Sequence, residues 1–204
     1  MRKFLFLTIL LSVIVMTIFL LPNNVIKQSI RGAIRLTNQP YVMPSEEVDC
    51  EFCAQRIASC AAELPHAVRY VPDYVKINYP MGDVPANTGV CTDVVIRALR
   101  CCGLDLQEEV FKHRRRNGKS TDTNIDHRRT PNIGAYLADD PNWKVIPVAQ
   151  AVQPGDIIWW KSNRNRDHMG VAITPDRVMH NFGHGVWADA SPNDFVLKHI
   201  YRLR

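Results

Sequence analysis

Apolar and polar positions divide the chain into three textures. Phe4 to Leu21 is apolar, interrupted only by Thr8, Ser12 and Thr17, and it follows Arg2 and Lys3. Such a run is just long enough to span a bilayer, and it equally matches a long signal-peptide core. It lacks the polar face of a helix packed on a soluble core. Residues 1–22 are therefore read as a membrane anchor or a cleaved signal, with the membrane as a contact. Both readings place the remainder outside the cytoplasm. Residues 23–48 show no period, and Pro40 and Pro44 break any helix there, so they read as a spacer.

From residue 49 onward the pattern becomes that of a packed domain. Cys53, Ile57 and Cys60 form a helical stripe that Pro65 ends. Val95, Ala98, Leu99 and Cys102 form a second stripe, with Arg97 and Arg100 off it and Gly103 as its stop. Asp105 to Arg116 predicts a third helix. "TPNIGAYLADD" predicts a fourth, with Thr130 as cap and Pro131 at its first position. The period then shortens. "WKVIPV", "GDIIWWK", "HMGVAIT", "RVMHNF" and "LKHIYRL" read as strands separated by turn residues. Helices followed by a strand meander predict an α+β fold with a mostly antiparallel sheet.

Composition adds little until the cysteines are considered. A net charge of +5, 46% hydrophobic and 22% charged residues describe an ordinary globular chain. The basic run "KHRRR" suits a helix C-terminus, and no aromatic residues interleave it, which argues against nucleic acid. "CEFC" lacks a second well-spaced pair, so neither a metal nor any other cofactor is expected. In an oxidising compartment, one or two disulfides should link the first helix to Cys101 or Cys102.

Cys91 lies four residues before Val95, on the buried stripe and at the helix N-terminus. Free amide groups and the helix dipole there favour a thiolate. A thiol nucleophile needs a histidine from elsewhere in the chain. His168 and His180 occupy two successive predicted strands. They share a face only if opposed residues have an even index sum, which requires an odd-length loop around Pro175. No Asn-Gly or Asp-Gly signal of a two-residue hairpin is present, so the odd loop is expected. Gly170 and Ala172 on the same face predict a flat patch that a helix can approach. His184 rivals His180, but its glycine neighbours place it in a loop.

"YPMGDVP", "GVCTDVVIRAL", "DTNIDHRRTPN", "PGDII" and "HNFGHG" occur in order over roughly residues 60 to 204. They resemble the NlpC-type, papain-like cell-wall cysteine peptidases, and more closely domain-of-unknown-function family 1287. The resemblance implies a papain-like hydrolase domain over 49–204. Cys91 would be nucleophile at a helix N-terminus, His168 general base and His180 its orienter. Tyr79 is the loose match to an oxyanion-binding tyrosine. Asp93 stands where better-known peptidases have glycine beside the nucleophile, and is assigned to oxyanion or substrate contact. In the polar loop, Arg129 suits a substrate carboxylate, while Asp126 is read either as a substrate contact or as a brace. The implied activity is amide hydrolysis in peptidoglycan peptides through a thioester. A non-catalytic wall-binding domain and an acyltransferase remain the alternatives.

Overall fold

The computed structural model describes residues 50–162 and 164–204. The anchor or signal and the spacer lie outside the described residues. Among the described residues no helix is long and apolar enough to cross a membrane.

Helix α1 (Cys50–Ala62) buries Cys53, Ile57 and Ala61. Helix α2 (Cys91–Arg100) is more enclosed than its stripe predicts, since every residue except Arg97 and Arg100 is buried. The two arginines explain the exception. Arg97 donates to Asp83 at 2.9 Å and to the Thr88 carbonyl at 3.0 Å, and Arg100 donates to the Gly82 carbonyl at 2.7 Å. Together they fasten the Pro-rich 80–90 loop to the helix. A disulfide joins Cys60 of α1 to Cys101 after α2. Helix α3 (Leu106–Arg116) is capped by Asp105, whose carboxylate accepts from the Gln107 amide. Helix α4 (Thr130–Asp139) starts one residue earlier than expected. Arg129, not Thr130, holds the extended cap position, and Pro131 lies in the first turn where its missing N–H costs nothing.

Strands β1 (Arg69–Tyr70) and β2 (Thr88–Gly89) form a two-stranded parallel pair leading into α2. The main sheet contains β3 (Trp143–Ile146), β4 (Ile157–Lys161), β5 (Asp167–Thr174), β6 (Arg177–Asn181), β7 (Val186–Ala190) and β8 (Val196–Leu203). Its order is β3-β8-β4-β5-β6-β7, antiparallel throughout. The fold is thus α+β, helices first and an antiparallel sheet after. Ile157, Met169, Val171, Met179 and Tyr201 face the helices. Ile158, Trp160, Ala172, Val178 and Ile200 form a second cluster. Burial of both faces explains why β4 reads as an unbroken apolar run.

Two local expectations change. The β5–β6 turn is the two-residue kind, pairing Thr174 with Arg177, an odd sum. A bulge between Ala172 and Thr174 then restores an even register, Ala172 opposite Val178. His168 and His180 therefore share a face because of a bulge, not an odd loop. The close approach at the Gly170–Ala172 patch is made by strand β6. A side chain at Gly170 would collide with Val178 and crowd the His180 Cβ at 3.2 Å, so this glycine admits strand β6.

The Pro154-Gly155-Asp156 turn is structural. Gly155 has φ +88° and lies against the Ala54 backbone. Asp156 accepts from the Gln153 amide at 2.8 Å and forms a bidentate pair with Arg202 at 2.8 and 2.7 Å.

Candidate active site

Cys91 opens α2 after Val90, whose extended backbone starts the helix. Asp93 at the third helical position accepts from the Val90 amide at 2.6 Å. The same carboxylate takes two bonds from the Arg128 guanidinium, both at 2.9 Å. Asp93 and Arg128 are 2% and 7% exposed. Asp93 is therefore enclosed and engaged by three internal donors as a brace of the helix start, which corrects its assignment as an oxyanion or substrate contact. The Thr92 hydroxyl donates to the Arg128 carbonyl at 2.9 Å and closes this brace.

The Cys91 thiol accepts from the backbone N–H of Met169, the residue after His168, and from first-turn amides of its own helix. Burial pushes the thiol pKa up and outweighs those donors, with Asp93 acting in the same direction. The helix N-terminus alone predicts a thiolate. Enclosure reverses that expectation, so the resting group is a neutral thiol.

His168 and His180 are 3% and 4% exposed. His168 Nε2 and His180 Nδ1 are 2.9 Å apart, and His180 Nε2 is 2.9 Å from Asp189 Oδ1. Asp189 Oδ2 meets His184 Nε2 at 3.0 Å. His184 thus contacts the carboxylate of β7 rather than His168, and it lies in the loop between β6 and β7. Trp160 stacks on His168 at 5.7 Å between ring centroids, and Phe182 meets it edge-on at 4.7 Å. Burial, with a smaller contribution from His180, pushes the His168 pKa down to about 3. Burial likewise lowers His180, partly opposed by Asp189.

Two clefts flank these groups. One, of about 570 Å³, includes Cys91, Tyr70, Arg128, Arg129 and Asp167 in its lining. The other, of about 430 Å³, includes His168, Tyr70, Arg164, Arg166 and Asp167. Tyr70 and Asp167 belong to both. Tyr70 is pushed up to about 12, by burial first and by the neighbouring Cys91 second, so its phenol is a donor at neutral pH. Tyr79 lines neither cleft. It is 42% exposed and packs on Phe111 at 5.3 Å, so Tyr70 replaces it as the tyrosine at the thiol.

Asp126 accepts from the Asp122 amide at 2.6 Å and pairs with Arg114 at 3.1 Å, which makes it a loop brace. Arg129 lines the Cys91 cleft, and it draws no salt bridge among the described residues. Asn181, fully buried, was not singled out by the sequence. Its amide donates to the Gly89 and Val68 carbonyls at 3.3 and 3.5 Å and ties β6 to the chain entering α2. Among the described residues no group of three or more His, Cys, Asp or Glu side chains is placed to hold a metal ion.

Fold and site define an α+β domain with a buried thiol at a helix N-terminus, set against a strand that carries the first of two hydrogen-bonded histidines. The chain belongs to the family described as domain of unknown function DUF1287, whose model matches residues 57–202. It is 39% identical over 133 residues to the uncharacterised protein YijF of Escherichia coli (strain K12), covering 57% of this chain and 64% of that relative. Among solved structures it is similar to NlpC1 from Trichomonas vaginalis, with 12% identity over 78% of this chain and 46% of that one, at a TM-score of 0.45. It is also similar to an N-acetylmuramoyl-L-alanine amidase from Bacteroides uniformis ATCC 8492, with 14% identity over 75% of this chain and 99% of that one, at a TM-score of 0.48.

Proposed function

We propose that this protein is an extracytoplasmic cysteine hydrolase that cleaves amide bonds in peptidoglycan peptides through a thioester. The observation that carries the reading is the ordered array at the thiol: Cys91 bonded to the residue after His168, and His168 bonded to His180. A binding module has no need of a buried thiol beside two hydrogen-bonded histidines.

The chemistry follows from the array. Nε2 of His168 is engaged by His180, so Nδ1 is the nitrogen that receives the Cys91 proton. Both partners rest neutral, and proton transfer accompanies attack of sulfur on the amide carbonyl. First-turn amides of α2 and the Tyr70 hydroxyl are donors suited to the developing oxyanion. His168 returns the proton to the leaving amine, and water, deprotonated in turn by His168, resolves the thioester. Arg129, Arg164 and Arg166 are exposed at the clefts and suit an acidic peptide. The Cys60–Cys101 disulfide supports an oxidising compartment.

Incubation of the soluble domain with purified peptidoglycan should release muropeptides identifiable by mass spectrometry, and Cys91→Ala should release none. Equal release by wild type and C91A would remove the hydrolase reading. A mass matching transfer to an added amine, without hydrolysis, would select the acyltransferase.

A further inference from the structure

We propose that Asp189 is a positioning residue that fixes the tautomers of both histidines and so points a lone pair of His168 at the Cys91 thiol. The proposal rests on the reading of Cys91 and His168 as nucleophile and base. Its basis is the donor and acceptor count along three bonded groups. A carboxylate only accepts, so the 2.9 Å contact between Asp189 Oδ1 and His180 Nε2 requires Nε2 to carry a proton. A neutral His180 then has a bare Nδ1. The 2.9 Å contact from that atom to His168 Nε2 requires Nε2 of His168 to donate. A neutral His168 is left with its lone pair on Nδ1, the form able to take the thiol proton. With no carboxylate at 189 the opposite pattern is equally allowed. His180 Nδ1–H would donate to His168 Nε2, and Nδ1 of His168 would carry a proton and be inert as a base.

Position supports this role. Asp189 lies on β7, where His180 pairs with Trp187, so one bonded chain runs across β5, β6 and β7. Its side chain is 51% exposed while both imidazoles are buried. The carboxylate is thus open to solvent while the rings that it sets are nearly enclosed. Burial works to raise the Asp189 pKa, yet the hydrogen bonds from His184 and His180 hold it below the usual range. It therefore stays an acceptor through the neutral region.

The test uses alkylation of Cys91 by iodoacetamide in the full-length protein, followed by peptide mass spectrometry from pH 6 to 10. The sulfur–carbon bond forms as iodide leaves, and the thiol proton passes to His168 and then to water. The charged or titratable neighbours of this path are His184, Asp194 and Arg177 around the carboxylate, and Tyr70, Asp93 and Arg128 around the thiol. Asp189→Asn, whose amide can donate as well as accept, should slow Cys91 alkylation about tenfold at pH 7. Asp189→Glu should recover most of the rate. The deficit of D189N should shrink steadily toward pH 10, as hydroxide takes over removal of the thiol proton from the base. Wild-type rates in D189N at pH 7 alongside slow H168A would overturn the positioning role alone. Slowing of D189N at pH 7 and pH 10 alike would also overturn it, by indicating a merely structural loss. Wild-type rates in H168A would instead overturn the base reading on which it rests.

Discussion

Two carboxylates brace the candidate site, one at the start of α2 and one behind the two histidines, and they do so by opposite physics. Asp93 is nearly inaccessible and holds three charge-assisted or backbone bonds from Val90 and Arg128. It is enclosed with its partners and behaves as a fixed post for the start of α2. Asp189 is half exposed and bonds two imidazoles, each able to exist in more than one protonation pattern. A buried carboxylate clamped by a guanidinium gives geometry, whereas an accessible one bonded to imidazoles governs where protons sit.

Breaking the clamp should have the largest effect. Asp93→Ala strands a buried guanidinium, with an expected loss of about 3–5 kcal/mol in urea unfolding. A loss below about 1 kcal/mol would mean that Arg128 finds water. Acid should come next. His127 and His168 have folded pKa values of about 4 and about 3, both lowered chiefly by burial, and His180 is lowered in the same direction. The unfolded chain therefore binds more protons than the native one as pH falls below about 6.5. Stability is intact above that value, and it should fall by about 1.4 kcal/mol per pH unit for each such histidine until its folded pKa is reached. His127 adjoins the clamp, so the melting temperature of His127→Gln between pH 7 and 4.5 divides the acid loss between the two sides. A wild-type midpoint that stays flat over this range would contradict neutral burial.

Smaller effects should appear on the proton-holding side. His180→Ala should slow turnover or Cys91 alkylation by about 1–3 kcal/mol, and His180→Asn should lose less, because an amide keeps one bond to His168. Equal rates for wild type and both variants would reduce the array to a Cys-His pair. Last, Tyr70→Phe should lower turnover by about 1 kcal/mol through one missing donor, while Tyr79→Phe should leave it unchanged. The reverse result would restore Tyr79 to the site.

The sequence discloses whatever depends on neighbours along the chain. Helical stripes around Cys53 and Val95 and the strand runs around Trp160, Val171 and Ile200 are legible because burial imposes a period. The candidate cysteine and histidines are legible because few other residue types carry that chemistry, and the structure joins the two histidines by a hydrogen bond. What escapes depends on distant partners. Asp93 looks free in sequence, and its guanidinium partner Arg128 lies 35 residues later. Tyr70 lies in a two-residue strand too short to leave a pattern. Strand β7 is hidden by Gly183 and Gly185, both at positive φ, and by an aspartate at its fourth position. The bulge at Ile173 shows why residue counting across a turn gives the correct face for the wrong reason. A disulfide from the first helix to the Cys101–Cys102 pair is legible from cysteine count and the expectation of an oxidising compartment, but the choice of Cys60 and Cys101 needs their Cα separation of 6.5 Å.

That crosslink acts on the protein before any of this geometry exists. It closes a ring with a sequence separation of 41, and the ring contains β1, β2, the Pro-rich loop and Cys91 itself. In the chain-entropy description, such a ring removes freedom from the denatured ensemble equivalent to roughly 4 kcal/mol. The nucleophile segment is thus tethered in the unfolded chain as well as packed in the folded one. A reductant that opens the ring would weaken the domain globally without touching an atom of the Cys91, His168 and His180 array.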